Sequence, residues 1–339
     1  MKNYGKLLIT VLVFILSAGI LMAGGGRARE GQVIELGWYQ PEPPGHPWTD
    51  VAFLIAEEIE RRSGGSLRIT VYHSGVLGSQ ADAVGMLRMG SLALLTTGPG
   101  VLSSFFDPVQ IAGMPFIFND VEHAKRFYAT PFAQRMYNDI ILSRSGLRTL
   151  DFWYFGDRHL TTQGLRATRP EHLSGVRIRG MESLVGRNQI EALGGNFVPI
   201  AFSELFFALQ TGVVAGQENP LTTIIAQRFY EVQDHVILTG HSVHMGSVHV
   251  SELIWNTLSA DHQRIIMEVL DEYRDEIERR IIRQTEEGKN YLRSRGVTLV
   301  ELSDADMAAF RARADMVMDQ NFGHIPEWRE AIDAVRSVR

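Results

Sequence analysis

Hydrophobic and polar positions along this chain follow a pattern that occurs twice: an amphipathic helix, a glycine stop, a short apolar strand, a turn, a second helix, another glycine and another strand. In the first copy Val51, Leu54, Ile55 and Ile59 recur at helical spacing between Asp50 and Arg62. Gly64 and Gly65 end that helix, and LRITVY (67–72) reads as a strand. Gln80 to Met89 reads as the next helix, stopped at Gly90 before SLALL. In the second copy Arg187 to Leu193 is helical up to Gly194 and Gly195, and NFVPI follows as a strand. Ser203 is placed to cap a helix to Gln210, and Gly212 precedes a strand VVA. Strands alternating with helices predict parallel α/β sheets, and two similar units predict two lobes with a cleft between them. Ligands of such folds sit beyond the carboxyl ends of the strands. Farther on, Ile265, Ile266, Val269, Leu270, Tyr273, Ile277 and Ile281 predict one long helix, capped by Ser259 and stopped near Gly296. Its mixed charges, as in DEYRDEIERR, read as a solvated face.

Composition narrows the function. The 339 residues are 45% hydrophobic and 21% charged, an ordinary globular balance with material for two lobes. Net charge is −6, and no run of Lys or Arg offers a nucleic-acid footprint, so an anionic ligand has to be held by individually placed cations. At the N-terminus Lys2 and Lys6 precede an apolar run from Leu7 to Ala23 and then small residues, the layout of a secretory signal peptide over residues 1–28. Cleavage between Ala23 and Ala28 predicts a periplasmic protein. The chain has no cysteine, which rules out both a disulfide and a lipid-modified cysteine at the mature N-terminus.

Three segments carry the polar groups an anion pocket needs: GDRHLTT (156–162), GVRIRG (175–180) and FSELFFALQTGVVAGQENP (202–220). In GVRIRG two arginines alternate with Val176 and Ile178. Either Arg177 or Arg179 can clamp a carboxylate, because a planar guanidinium presents paired donors to its two oxygens. Arg158 follows the aromatic strand FWYFG in what reads as a turn, either as a second cation or as a partner for Asp157 or Asp151. Asn219, just before Pro220, offers an amide that both donates and accepts; the other reading is an Asx-turn capping a helix from Thr222. Phe202 is an apolar wall or a core residue. Nothing here resembles a bond-breaking apparatus: HExxH, Walker A and dinucleotide fingerprints are all missing. GHSVHMGSVH lacks the second glycine of a nucleophile elbow, because His244 holds that position. His241, His244 and His249 face different sides of an extended strand, so neither a metal nor a cofactor is expected, and His241 is read as an anchor where the chain crosses between lobes.

In order and spacing these segments, with the FYEVQ of Phe229 to Gln233, resemble the DctP-type solute-binding subunits of tripartite ATP-independent periplasmic (TRAP) transporters. The resemblance covers essentially the whole mature chain. It implies a two-lobe α/β periplasmic binding fold with a hinge-bending cleft and a long C-terminal helix bridging the lobes. Lobe I would comprise 31–155 with about 245–284, and lobe II 156–244 with about 285–339. It implies capture of a small organic acid, without catalysis, and delivery to the small and large membrane subunits of a permease. Arg179 falls on the family's carboxylate-clamping arginine, Arg158 on a second cleft arginine, Asn219 on a ligand-contacting asparagine, and Phe202 on an aromatic that packs on the ligand's carbon skeleton. Where the sialic-acid-binding branch has a Glu and an Arg this chain has Gly98 and Val101, and where that branch has an Asn this chain has Glu182. These departures point to a smaller polyol acid, such as a hexuronate or aldonate, with Glu182, Gln80, Tyr39, His46 and Trp153 as hydroxyl partners or stacking surface. Glu182 would also repel the second carboxylate of a dicarboxylate. The competing expectations are a C4-dicarboxylate, an α-keto acid or an aromatic acid in the same architecture, and a periplasmic hydrolase acting through Ser242.

Overall fold

Two long antiparallel strands carry the chain through the middle of the molecule, which a computed structural model describes for residues 33–338. The expected signal peptide lies outside the described residues. In chain order the strands are β1 (Ile34–Tyr39), β2 (Leu67–Tyr72), β3 (Leu94–Thr97), β4 (Leu147–Thr162), β5 (Arg177–Gly180), β6 (Asn196–Pro199), β7 (Gly216–Pro220), β8 (His235–Ser251) and β9 (Thr298–Val300). They form one sheet in the order β2-β1-β3-β8-β4-β7-β5-β6, with β9 added to β8. The helices are α1 (Pro47–Arg62), α2 (Gln80–Arg88), α3 (Val121–Tyr128), α4 (Pro131–Arg135), α5 (Leu142–Ser145), α6 (Leu184–Leu193), α7 (Leu205–Gln210), α8 (Leu221–Ala226), α9 (Glu252–Trp255), α10 (Ala260–Ser294), α11 (Asp304–Asn321) and α12 (Pro326–Arg336). No helix among the described residues is long and apolar enough to cross a membrane.

The sheet is mixed rather than wholly parallel. Pairing is parallel within each end, β2-β1-β3 and β7-β5-β6, where helices make the crossovers. It is antiparallel where β3 and β7 join the central β4–β8 pair, because the chain passes from one end to the other along strands. The segment expected as a turn, GDRHLTT, is therefore the second half of β4. Gly156 has φ of +121° and marks a register shift opposite β8, where a Cβ would meet Pro220 at 3.0 Å. A larger shift lies next to it: Arg158 pairs with Ser242, and Leu160 already pairs with Ile237.

Each end has its own apolar packing. α1 buries Val51, Ala52, Ile55 and Ile59 against the β1–β3 end of the sheet and the first part of α10. α10 has 35 residues, roughly 50 Å of helix, capped by the Ser259 side chain accepting from the His262 amide. Its Ile265, Ile277 and Ile281 belong to that first cluster, while Leu292 packs with Leu205, Ile224 and Phe229 at the other end, so one helix braces both. Gly288 permits its close approach to α8, since a Cβ there would meet Ile225 at 2.6 Å. A further cluster joins Leu102–Leu147 to Trp328, Ile332 and Val335 of α12.

Candidate binding site

Two connected spaces open at the carboxyl ends of β1, β5 and β7. The larger, about 360 Å³, is lined by Tyr39, Gln80, Arg179, Glu182, Phe202 and six serines: Ser74, Ser79, Ser103, Ser104, Ser183 and Ser203. The smaller is a recess of about 50 Å³ that shares Arg179, Phe202 and Gln80 with it and adds Glu42, Arg158, Asn219 and His244.

The two candidate arginines share one face of β5 but differ in burial. Arg177 is exposed and donates to the Gly212 carbonyl at 3.0 Å; Ile178 points into the apolar core; Arg179 is 3% exposed. The Arg179 Nε donates to the Ile200 carbonyl at 2.9 Å, and its guanidinium carbon stands 5.9 Å from the Phe202 ring centre. Among the described residues no carboxylate lies within salt-bridge distance of it. Burial pushes its pKa down to about 10, which still leaves it charged at neutral pH.

Arg158 is in the opposite situation. It is 2% exposed, but its Nε and Nη2 grip the Glu218 carboxylate, and Nη2 also reaches the Glu218 carbonyl at 2.7 Å and Asn219 Oδ1 at 2.9 Å. Its partner is thus Glu218, across the β4–β7 ladder, rather than Asp157 or Asp151. Burial alone would raise the Glu218 carboxyl; Arg158 and a hydrogen bond from His241 outweigh it and hold it down at about 2. The network runs on from Asn219 Nδ2 to Gln217 Oε1 at 2.6 Å, from Gln217 Nε2 to Thr161 at 3.0 Å, and from Thr161 to Gln233 at 2.9 Å. This explains why GQENP, Thr161 of GDRHLTT and the end of FYEVQ occur together: they are one buried hydrogen-bonded unit. Asn219 lies in β7, and α8 begins after it at Leu221 with no side-chain cap, so the Asx-turn alternative does not hold.

A family model for bacterial extracellular solute-binding protein, family 7 (DctP) matches residues 40–324. The chain belongs to this family. Sialic acid-binding periplasmic protein SiaP of Vibrio cholerae is 28% identical over 299 residues, 88% of this chain and 89% of that protein. A TRAP periplasmic solute-binding protein of Polaromonas, solved with bound D-erythronate, has the same fold, with a TM-score of 0.82, 26% identity, and 91% of this chain and 99% of that chain covered. One from Shewanella oneidensis with bound succinate gives a TM-score of 0.84 at 25% identity, covering 90% of this chain and 99% of that chain.

Within this family fold, the remaining sequence candidates divide. Tyr39 lines the cavity, buried, with its hydroxyl on the Gly78 carbonyl at 3.1 Å, and burial raises its pKa to about 12. Gln80 accepts from Thr97 at 2.7 Å and lines the cavity. Glu182 is on the cavity wall but exposed, so solvent screens its charge. His46 and Trp153, expected at the cleft, lie beneath it. His46 caps α1, its Nδ1 accepting from the Trp48 amide, and packs on Phe155; burial lowers its pKa to about 3. Trp153 is buried between Trp38 and Trp48 with its indole N–H on Asp151 at 2.9 Å. Alternating apolar patterning cannot tell a cleft aromatic from a core one.

Ser203, expected as a helix cap, is in a single 3₁₀ turn before α7, its side chain capping nothing, and lines the cavity instead; VVA is a loop, the strand starting at Gly216. Ser242 lies mid-strand in β8, its buried Oγ without a hydrogen-bond partner, which is not the geometry of an activated nucleophile. His249 is held by Thr149 and Ser247, and His241 by Thr239 and Glu218, each within the sheet. Sequence reasoning missed Glu42, which is 1% exposed and accepts from Thr223 Oγ1 at 3.1 Å and Gln227 Nε2 at 3.2 Å. Its available signal was position: a carboxylate in Pro41-Glu42-Pro43, directly after the carboxyl end of β1. The serine-lined wall was also missed, because serine in loops is unremarkable until the loops converge.

Proposed function

We propose that this protein captures a small hydroxylated monocarboxylate, a sugar acid of the hexuronate or aldonate kind, and hands it to the small and large membrane subunits of a TRAP permease. The observation that carries the reading is Arg179: a buried, charged guanidinium with only Nε committed and no carboxylate in reach, beside an arginine already neutralised by Glu218. Burying an unpaired charge is costly, and an incoming carboxylate offsets that cost through paired hydrogen bonds. One open cation argues for one carboxylate. The six serines, Gln80 and Glu182 around the larger cavity suit hydroxyls, and Phe202 suits the carbon skeleton.

In this reading the two ends of the sheet are lobes, 33–155 with about 245–284 and 156–244 with about 285–338, that open and close on β4, β8 and α10. Hydrogen bonds from Thr223 and Gln227 to Glu42, from the Val185 amide to Gln110 and from Gln189 to the Gly113 carbonyl would then be closing contacts. Closure dries the ion pair and strengthens it. The protein acts in the periplasm after loss of residues 1–28 and performs no catalysis.

A thermal-shift panel of uronates, aldonates, succinate, malate and keto acids tests this. A ligand at a hundred times its Kd adds about 2.7 kcal/mol of stability, so the shifts rank affinities. Hydroxylated monocarboxylates are expected to lead. Stabilisation by succinate or malate equal to that of any sugar acid would replace this reading with a C4-dicarboxylate, the ligand of the Shewanella neighbour.

A further inference from the structure

Two cations, Arg158 and Arg179, and one carboxylate, Glu42, line the recess, and Glu218, paired with Arg158, supplies a second carboxylate behind it. Empty, they balance. A captured monoanion adds one negative charge in a buried space that has room for little else, since 50 Å³ at roughly 10–15 Å³ per water-sized group holds about four of them, a carboxylate and one neighbouring atom. Arg179, Asn219, Arg158 and Glu42 all line this recess, so a ligand carboxylate that enters it meets Glu42 there.

Glu218 cannot take up a proton to restore the balance, because Arg158 holds it bidentately and His241 donates to it. Glu42 can. Its two oxygens receive one hydrogen bond each from neutral groups, Thr223 on α8 and Gln227 just after it, and a protonated carboxyl keeps acceptor capacity for them while gaining a donor. We propose that Glu42 binds the ligand as a neutral carboxylic acid, donating its hydrogen to the captured carboxylate, so that capture above neutral pH takes up one proton from solvent. The inference rests on the carboxylate reading given above.

Glu42 is suited to this role even in the empty site, where burial raises its pKa to about 7 and the hydrogen bonds from Gln227 and Thr223, with Arg158, only partly oppose the rise. The other titratable groups that face it are fixed. On its own segment Tyr39 is pushed up to about 12 and His46 down to about 3, both neutral at physiological pH. On β8 burial likewise holds His244 neutral, at about 3, and His241 is committed to Glu218 and Thr239. On β5 Arg179 stays cationic.

Titration calorimetry at pH 8 in phosphate and in Tris, whose ionisation enthalpies differ, measures the proton directly, with D-erythronate and D-galacturonate as probes. The expected result is uptake approaching one proton per ligand, with affinity falling toward tenfold per pH unit between pH 7 and 9. Glu42→Gln should abolish the uptake and flatten the profile while still binding, because the amide keeps a donor. Binding without buffer dependence, or uptake that survives in Glu42→Gln, overturns the assignment and leaves the carboxylate reading standing. If the wild-type protein binds neither acid, both readings fail together. The wild-type measurement needs no variant, so a folding defect in Glu42→Gln cannot mask the answer.

Discussion

Arg158 and Arg179 are equally buried and a few residues apart in space, yet they sit in opposite surroundings. Around Arg158 every neighbour is committed: Glu218 takes two of its nitrogens, Asn219 a third contact, and the chain of amides and hydroxyls continues to Gln233. Around Arg179 one backbone carbonyl is engaged and the rest of the guanidinium faces a cavity. The first region is complete without a ligand and shapes the second, which is not. An arginine in a cleft is therefore no evidence of a ligand contact until its protein partners have been counted, because a charge already paired has little left to offer an incoming anion.

The largest expected effect breaks the completed side. Glu218→Gln leaves Arg158 buried without its anion and should lower the unfolding free energy of the ligand-free protein by about 3–5 kcal/mol, read by urea titration. Unchanged stability would mean that the Arg158 network contributes nothing net. Next comes the incomplete side: Arg179→Lys keeps the charge but loses the fork, and should cost about 2–5 kcal/mol of ligand binding by calorimetry. The stability of its ligand-free form should stay within about 1 kcal/mol, since no carboxylate loses a partner. Arg177→Lys, exposed on the same strand, should bind within about 0.5 kcal/mol of wild type. Wild-type affinity in Arg179→Lys would remove the clamp assignment.

The smallest effect separates the two buried glutamates by pH. Glu218 sits at about 2 in the folded protein against an ordinary 4.5, so between those values the unfolded chain holds more protons and the stability due to this group rises with pH. Glu42 sits at about 7 against 4.5, so in that window the folded protein holds the extra proton and stability falls as pH rises. The stability difference between Glu42→Gln and wild type should therefore grow in favour of the variant from pH 4.5 to 7, reaching on the order of 3 kcal/mol, and be flat below. A difference that is constant across that window would show that Glu42 is not perturbed in the empty protein.

Much of this molecule was legible as periodicity. Helical spacing marked α1, α2, α6 and α10, and Ser259 with Gly296 marked both ends of the longest helix, because local capping and 3.6-residue repeats belong to single segments. The candidate clamp was half legible: GVRIRG showed two alternating arginines, and resemblance chose Arg179, while its burial came from the Ile200–Phe202 segment and the recess it packs into. What a strand of 16 residues does at Gly156 could not be read as continuation, because a glycine at positive φ ends most elements and only pairing with β8 carries this one through.

The sequence by itself determined the residue types: two arginines with the right fork, an amide, an aromatic, and a family whose order and spacing they match. Only tertiary structure decided their states. Glu218 neutralises Arg158 because β4 and β7 happen to pair in that register, Glu42 reaches the recess because the loop after β1 folds over α8, and Trp153 and His46 are core because one packs between Trp38 and Trp48 and the other caps α1 against Phe155. Charge, protonation and access are properties of what surrounds a group in space, set by desolvation and by partners tens to hundreds of residues away, and no local pattern encodes them.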